Sequence, residues 1–482
     1  MNQLDVFNQL SNLSGPSTTK SITNSCLTLD LSSSFIPESA FTYFDRFNQE
    51  LSIFDTFNSL LSAQAVNYSE NKAVLHHKTR DFTDKGFFFE QATNLYQFIE
   101  QLNHNQIPDL TNITHVIQIG IGGSFLGPKS IYESVLNYFS SNNLKPDRTA
   151  QFISYLDPLE FKSKMTSISP KNTLFIIASK SGSTQETLSN YDLLKHWWSN
   201  EHNLNENELK KQCISLSCKN AEIDSAEMAD YHFYIDSTIG GRYCSTSVIG
   251  TCILGLCFGI KTVSEFLQGA YNFDQNALNP NLDKNLALAS AWSSIWYRNC
   301  KNYSSKAIIA YSYALRAFPY HLQQLQCESN GKSVSIDNET LNYKTSPIIL
   351  GSSGTHCQHS FFQLIHQSSD IIPIEFICIS NSPLTDTPFS TAHLKLNTNL
   401  KGQINALKNG NPNQDDLNKH FSGNRPSITI SLDTLSPCAI GELLSFYENR
   451  TIFEGFIWNI NSFDQEGVQL GKQLTNQYLS CP

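Results

Sequence analysis

The sequence predicts an α/β protein made of two domains, each with a central, mainly parallel sheet flanked by helices. Three observations support this prediction. Apolar, β-branched runs are repeatedly followed by a glycine- or serine-rich turn and then by a segment with helical periodicity. This order recurs in both halves of the chain, on either side of a polar stretch. The 482 residues are enough for about two to four domains.

The first half begins with a helical region and continues with two strand, turn and helix units. Phenylalanines recur every three or four positions between residues 41 and 57, which predicts helix. The run VIQI ends at Gly120, and the turn GIGGSFLGP leads to Pro128, near the start of the next helix. The second unit consists of the strand TLFIIA (173–178), the loop SKSGST and a helical segment. Ser183 and Glu186 are spaced as a capping box at the start of that helical segment.

The second half repeats this texture. Strands are predicted in KAIIAYS (306–312), PIILG (347–351) and IIPIEFICI (371–379), and helices in the segment ending at Leu325 and in GTHCQHSFFQLIHQ (354–367). The polar stretch from Tyr271 to Asn285 is the best candidate for a linker between the halves. Residues 408–427 are predicted to form a long surface loop.

Charge and cysteine usage exclude several classes of protein. The chain has 33 basic and 43 acidic residues, a net charge of -10 and no basic run, so we expect no nucleic-acid partner. A few cationic side chains in a cleft can still bind a small phosphorylated substrate. The 12 cysteines form no CxxC pair, and the N-terminus lacks a secretory signal. The apolar run 248–260 is too short to span a bilayer. We therefore expect a cytoplasmic protein with reduced thiols, a buried helix at 248–260 and no membrane partner.

Two glycine-containing motifs do not match the nucleotide-binding patterns that they suggest. In GIGGSFLGP, Phe125 occupies the position of the third glycine of a dinucleotide fingerprint, so the segment is either a plain tight turn or a backbone cradle for an anion. Lys332 follows Gly331 as in a Walker loop, but the glycine required five residues earlier is Gln326.

The loop SKSGST offers hydroxyls and an ammonium group directly ahead of a helix N-terminus, which favours a phosphate dianion; the alternative is an ordinary capped loop. The residues concerned are Ser179, Lys180, Ser181 and Thr184.

The remaining candidates have an ordinary structural alternative each. Arg242 follows two glycines that permit close backbone approach, but surface arginines are common. Glu328 ends an apolar periodic segment, where a solvated carboxylate is also typical. His359 and His366 are spaced seven apart on one predicted helical face, and no HExxH motif occurs, so no metal site is expected.

Taken together, these segments resemble the glucose-6-phosphate isomerase family. The resemblance extends from about residue 115 to the C-terminus and rests on six motifs in the family's order: GIGGSFLGP, SKSGSTQET, IGGRY, QLQCESNGK, GTHCQHSFFQLIHQ and SFDQEGVQLGKQL. It implies two sugar isomerase domains, a smaller phosphate-binding one at 76–270 and a larger one at 271–482 with a C-terminal extension, and an N-terminal helical extension at 1–75 packing on the larger domain.

The resemblance also implies an aldose–ketose isomerisation of glucose 6-phosphate and fructose 6-phosphate through a cis-enediolate, without metal or cofactor. Glu328 would move the proton, Arg242 would stabilise the negative charge, and His359 and Lys472 would assist ring opening. The substrate and phosphate contacts implied are Gly123, Ser124, Ser179, Lys180, Ser181, Thr184, Gly241, Gln324 and Gln465. Family members are homodimers in which the residue matching His359 comes from the neighbouring chain.

Four residues depart from the family's usual pattern, namely Cys244, His356, Cys357 and Glu466. None of them replaces an implied catalytic group. Two alternatives remain at this stage. One is an isomerase with a broader range that includes mannose 6-phosphate, and the other is a catalytically silent sugar-phosphate sensor that uses the same serine loop.

Overall fold

The computed structural model describes residues 2–83, 85–411 and 415–480, and it contains two largely parallel sheets flanked by helices. The predicted fold class is therefore confirmed. The strands are β1 Ser21–Asn24, β2 Leu27–Asp30, β3 His115–Ile119, β4 Thr149–Ile153, β5 Thr173–Ala178, β6 Cys213–Ser217, β7 Tyr231–Tyr234, β8 Ser305–Tyr311, β9 Ile348–Ser353, β10 Ile374–Ile379 and β11 Ser427–Leu432.

The helices lie on both faces of the sheets. They are α1 Gln3–Ser11, α2 Glu38–Glu50, α3 Ile53–Leu61, α4 Phe87–Asn103, α5 Leu126–Ser141, α6 Pro158–Met165, α7 Gln185–His196, α8 Glu206–Lys211, α9 Glu222–Ser225, α10 Val248–Ala277, α11 Leu286–Ile295, α12 Phe318–Asn330, α13 Gly354–Gln358, α14 Phe362–Gln367, α15 Phe389–Asn409, α16 Pro437–Ile457 and α17 Gln469–Ser480.

The first sheet has the order β4-β3-β5-β6-β7, and all of its pairs are parallel. Its central strand β5 is buried along its whole length, as the uninterrupted apolar run TLFIIA predicts. Because β3 and β5 are parallel neighbours, the glycine turn after β3 and the serine loop after β5 lie side by side at one edge of the sheet.

The second sheet has the order β1-β2-β11-β10-β8-β9, and its last four strands are parallel. The N-terminal hairpin β1–β2 extends this sheet, with β2 antiparallel to β11. The sequence predicted only helices in this N-terminal region, so the hairpin corrects that prediction. Each of its strands has only four residues, which is too short for a recognisable apolar run.

The stretch predicted as a linker is largely helical. The long helix α10, kinked at Gly259 where φ is 81°, continues to Ala277 and buries Phe273 and Asp274, so only residues 278–285 form turns between the two halves. The linker prediction failed because Asn and Gln on the solvent side of the helix masked the buried positions.

One helical stretch, Gly241–Ala277, is long and apolar enough to cross a membrane, but 89% of its most apolar window is buried inside the protein, as in the core helix of a soluble protein.

Two predictions in the C-terminal half are also corrected. The segment 354–367 forms two short helices, α13 and α14, interrupted at residues 359–361, so His359 and His366 do not share one helical face. The predicted surface loop at 408–427 begins only after α15 ends at Asn409; residues 412–414 of that prediction lie outside the described residues.

A buried ion-pair cluster ties the N-terminal region to the two long helices. Arg80 is 1% exposed and donates two hydrogen bonds to Asp274 of α10, 2.6 and 2.8 Å long, and one to Glu448 of α16. Burial raises the pKa of Glu448 to about 7, against the lowering effect of Arg80. The two carboxylates therefore depend on this one guanidinium for neutralisation.

We predict that Arg80→Met lowers the free energy of unfolding by about 3–5 kcal/mol, because it leaves Asp274 and Glu448 buried without a counter-charge. Urea unfolding of purified protein measures the change. The control is Lys261→Met, which removes an ion pair 3.9 Å long whose lysine is 91% exposed, and this variant should lose no more than about 1 kcal/mol. Equal losses in the two variants would contradict the prediction.

Candidate active site

The glycine turn after β3 is pressed against the loop that precedes α10. A Cβ atom added at Gly123 would lie 1.9 Å from the carbonyl oxygen of Gly241, so only glycine permits this approach. Cys244 reinforces the contact, because its buried thiol lies 3.3 Å from the Gly123 carbonyl oxygen. The turn and the loop therefore form one rigid unit that includes three predicted site residues, Gly123, Ser124 and Gly241.

Arg242 follows Gly241 in a 3-10 turn, and its side chain is fully buried. Its guanidinium donates to the Ser329 hydroxyl (2.6 Å), to the Gln465 amide oxygen (2.8 Å) and to the backbone carbonyls of Ser462 (2.6 Å) and Asp464 (3.1 Å). These acceptors come from α12 and from residues 462–465. The guanidinium is therefore held in one orientation by two separate segments of the chain.

Glu328 faces this guanidinium from the last turn of α12. Its Oε1 lies 3.6 Å from Nη1 of Arg242, and its side chain is 27% exposed. Its other oxygen, Oε2, accepts a 2.8 Å hydrogen bond from Gln324, one helical turn earlier. The structure thus brings together Arg242, Gln324, Glu328 and Gln465, four of the residues singled out from the sequence.

A second charged pair beside Glu328 was missed by the sequence analysis. Lys332 pairs with Asp464, and Nζ also donates to the Asp464 carbonyl at 2.8 Å. Burial lowers the pKa of Lys332, although the hydrogen bond from Lys332 to Asp464 acts in the opposite direction. Burial disfavours the Asp464 carboxylate, but hydrogen bonds from Lys332 and Ser69 outweigh it and lower the pKa of Asp464. The available signal was the position of Lys332, four residues after Glu328, which the sequence analysis weighed only as a Walker lysine.

The serine loop is held by its own hydroxyls. Ser179 is buried, its hydroxyl shares a 2.8 Å hydrogen bond with Thr184, and it also accepts the Gly182 amide at 3.1 Å. Helix α7 begins at Gln185 with Thr184 as its N-cap residue, and no side chain caps it. The predicted capping box of Ser183 with Glu186 is therefore wrong, since the helix starts one residue later than that motif requires.

Lys180, the second residue of this loop, is half-buried. Burial lowers the pKa of its ammonium group, and the nearby charges of Glu70 and Lys72 also act on it. Cys244, which touches Gly123, is close enough to influence the same group. The serine loop and the glycine turn therefore border one region, in which Ser181 is exposed and Ser124 is 8% exposed.

A cavity of roughly 1060 Å³ opens in front of Glu328. Its lining includes Tyr68, Ser69, Gln324, Glu328, Lys332 and Gln465. A cavity of this size, with a few convergent polar groups, is typical of a site for a small molecule. A carboxylate and amide groups at the wall, with a fixed guanidinium 3.6 Å from the carboxylate, suit a substrate that develops negative charge next to a carbon-bound proton.

The structure does not place His359 and Lys472 in this cavity within one chain. His359 is exposed in the turn between α13 and α14, and Lys472 lies on α17, whose residues are all exposed. Neither side chain has a hydrogen bond or ion pair to another described residue, and neither lines the cavity around Glu328.

The four departures from the family pattern fall into two groups. Cys244 and Cys357 are buried, and burial raises the pKa of each thiol to about 12. His356 and Glu466 are exposed, and only Glu466 lines the cavity. Cys244 is therefore a packing residue beneath Gly123, whereas Glu466 faces the space that a substrate would occupy.

Comparisons with known proteins agree with this geometry. The family model described as phosphoglucose isomerase matches residues 30–481, so the similarity begins well before the motifs that were recognised from about residue 115. Glucose-6-phosphate isomerase of Borreliella afzelii is 43% identical over 464 residues, covering 92% of this chain and 86% of the relative. The enzyme of the same name from Treponema denticola is 42% identical over 450 residues, covering 89% and 83%.

A solved structure is similar over the whole chain. The crystal structure of a glucose-6-phosphate isomerase from Chlamydia trachomatis superposes with a TM-score of 0.90 at 32% identity, covering 100% of this chain and 95% of that chain.

We predict that Gly123→Ala lowers the free energy of unfolding by roughly 1–3 kcal/mol, because the new methyl group would collide with the Gly241 carbonyl. Gly241→Ala is the matched control, since a Cβ there has no atom within 4 Å. Urea unfolding of both variants gives the difference. A stability of Gly123→Ala equal to that of the control would show that the turn and the loop are not in contact.

Proposed function

The chain belongs to the phosphoglucose isomerase family, and we propose that the cavity around Glu328 is its catalytic centre. The protein interconverts glucose 6-phosphate and fructose 6-phosphate. The observation that carries the assignment to this cavity is the pair formed by Glu328 and the buried Arg242, with 3.6 Å between the carboxylate and the guanidinium.

In the proposed mechanism, Glu328 is the base that moves the proton. Its carboxylate takes the proton from carbon 2 of the open-chain aldose, and the released electron pair forms the double bond of a cis-enediolate. The same carboxylic acid then returns the proton to carbon 1, while the hydroxyl proton on oxygen 2 is transferred to oxygen 1, which leaves the carbonyl at carbon 2. Gln324 is a positioning residue, because its hydrogen bond to Oε2 fixes the carboxylate while Oε1 faces Arg242.

Arg242 stabilises the negative charge of the enediolate in this proposal. A guanidinium cannot lose its proton in the range where proteins function, so the site keeps a permanent cation. The hydrogen bonds to Ser329, Gln465 and the backbone hold it in place before substrate binds, so little reorganisation is needed when charge develops. Gln465 also reaches the cavity and is proposed to contact the sugar.

The phosphate group is proposed to bind at the serine loop. The donors are the hydroxyls of Ser179, Ser181 and Thr184, the ammonium group of Lys180, and Ser124 with the backbone at Gly123 and Gly241. The N-terminus of α7, which follows directly, adds free amides that favour an anion. The lowered pKa of Lys180 supports this role, because a half-buried ammonium is stabilised by a bound dianion.

Ring opening is proposed to need His359 and Lys472, and the family resemblance implies a homodimer in which His359 comes from the neighbouring chain. The His359 side chain is exposed in one chain, which is what a residue supplied to a neighbouring subunit requires. Helix α17, which carries Lys472, also exposes Leu470 and Tyr478, which are 66% and 74% exposed. Apolar side chains exposed along one helix support burial against a second surface.

Three other points remain predictions from the sequence. The family resemblance implies the division into an extension at 1–75 and domains at 76–270 and 271–482, a broader range that includes mannose 6-phosphate is an alternative, and the cysteine usage predicts a cytoplasmic location. The thiols support the location, because the eleven cysteines in the described part of the chain are all free. A silent sensor is not supported, since the family and its named relatives are isomerases.

We predict that Glu328→Gln lowers turnover of fructose 6-phosphate by roughly 10²–10⁴-fold while substrate binding survives, because the amide keeps the shape of the side chain but cannot accept the proton. A coupled dehydrogenase assay in the presence of a metal chelator measures turnover, and calorimetry measures binding. Glu100→Gln, on the exposed face of α4, is the control and should retain full activity. Near-normal turnover in Glu328→Gln would refute the role of Glu328.

We further predict that a mixed dimer of one Glu328→Gln chain and one His359→Ala chain recovers about half of the wild-type activity. If His359 acts on the partner's substrate, one of the two sites in this dimer contains both intact residues. Two affinity tags allow the mixed dimer to be purified, and the two homodimeric variants are the controls. A mixed dimer as inactive as both controls would show that His359 serves its own chain.

A further inference from the structure

A cluster of two thiols and a carboxylate lies outside the catalytic cavity. It is formed by Cys26, Cys438 and Glu442, whose ligand atoms all lie within 4.8 Å of one another. None of the three lines the cavity around Glu328. The two cysteines are half-buried and the glutamate is fully buried, so the cluster is reachable from solvent on its thiol side.

The backbone holds the three side chains in this arrangement. Cys26 lies in the turn of the β1–β2 hairpin, where its amide donates to Glu442 Oε2 at 3.0 Å and its carbonyl accepts the Asp433 amide at 2.9 Å. Cys438 and Glu442 are four residues apart in α16, so they share one helical face. A Cβ added at Gly269 would lie 1.9 Å from the Cys438 carbonyl, which shows how closely α10 packs on this first turn of α16.

One of the two oxygens of the Glu442 carboxylate has no hydrogen-bond partner within the described part of the protein. The residue is 0% exposed, and its Oε1 has no hydrogen-bond partner among the described residues. Burial raises the pKa of this carboxyl group. A buried acceptor without a partner is costly, so the free oxygen indicates a ligand that the protein itself does not supply.

The surrounding charge favours a cation. Besides Glu442, the charged groups that act most strongly on the two thiols are Asp433 and Glu265, which are both acidic. Two thiols and a carboxylate in an acidic environment suit a divalent cation of borderline softness.

We propose that Cys26, Cys438 and Glu442 bind one Zn²⁺ ion per chain, with water as the fourth ligand. Zinc prefers tetrahedral sites with bonds of about 2.3 Å to sulfur and 2.0–2.2 Å to carboxylate oxygen, which place neighbouring ligand atoms about 3.6–3.8 Å apart. The ligand atoms of Cys26, Cys438 and Glu442 now lie within 4.8 Å of one another, so any two of them need to approach each other by at most about 1.2 Å. The two side chains of such a pair share this movement. Binding releases the thiol protons to water and gives Glu442 Oε1 a partner.

A disulfide between Cys26 and Cys438 accounts for less of the geometry. It would leave the buried Glu442 oxygen without a partner, and its formation needs an oxidant. Zinc would satisfy all three groups and would link the N-terminal hairpin to helix α16.

The test uses the full-length protein, reduced with a phosphine and freed of metal by a chelator that is then removed. Titration with Co²⁺ should give one equivalent per chain, with thiolate-to-cobalt charge-transfer absorption and the visible bands of tetrahedral cobalt, and Zn²⁺ should displace them. Zn²⁺ should also raise the thermal unfolding midpoint. Cys26→Ser and Cys438→Ser should each weaken binding at least about tenfold and reduce the charge-transfer band.

The matched control is Cys300→Ser, because Cys300 is also half-buried but lies next to Phe7, outside the cluster. It should bind metal as the wild type does. Glu442→Gln should weaken metal binding yet keep the charge-transfer band. If this variant does not fold, the Cys26→Ser and Cys438→Ser variants test the proposal without it. The proposal is overturned if the reduced wild type binds no cobalt, or if the Cys26→Ser/Cys438→Ser double variant gives the wild-type titration. It is also overturned if Cys26 and Cys438 are found as a disulfide and the protein still binds no zinc after that disulfide is reduced.

Discussion

The organisation of the cavity around Glu328 depends on the burial of one guanidinium. Arg242 carries a charge that it cannot lose, so the fold has to supply acceptors wherever its nitrogen atoms point. These acceptors come from the end of α12 and from residues 462–465, and the glycine turn after β3 packs against the residue that precedes Arg242. The need to satisfy one buried cation therefore fixes the relative positions of the segments that also carry Glu328, Gln324 and Gln465.

Similar groups of buried charges occur away from the cavity. Arg450 of α16 pairs with Glu375 of β10 and with Glu454, and Lys306 of β8 lies 3.6 Å from the same Glu375. Together with the cluster around Arg80, these pairs connect α16 to the second sheet and to α10. Buried ion pairs add little net stability, because desolvation offsets their attraction, but a misplaced partner is strongly penalised. We infer that they select one packing of α16, and hence one position for the segment that follows it.

Local sequence predicted the elements that are defined by local contacts. The runs at β3, β5, β8 and β10 were recognised because each contains a short, largely apolar run rich in β-branched residues. The motif around Glu328 was recognised because the segment QLQCESNGK resembles the family's motif. Features that depend on distant residues were not predicted. Lys332 and Asp464 are 132 positions apart, and the hairpin β1–β2 is a strand pair only because β11 lies beside it. The start of α7 was misplaced because the Thr184 hydroxyl bonds to Ser179 rather than to the helix.

The hairpin β1–β2 also has a consequence for the order in which the chain is assembled. It leaves the ribosome well before its partner strand β11 and the Glu442 that accepts from Cys26, with 416 positions between Cys26 and Glu442. During synthesis the exposed edge of β2 has no native partner until nearly the whole chain is made. Pairing of such high sequence separation is slow, and unpaired strand edges favour aggregation. The second sheet can therefore be completed only after translation of β11, at the stage when a nascent chain of this length relies most on protection by chaperones.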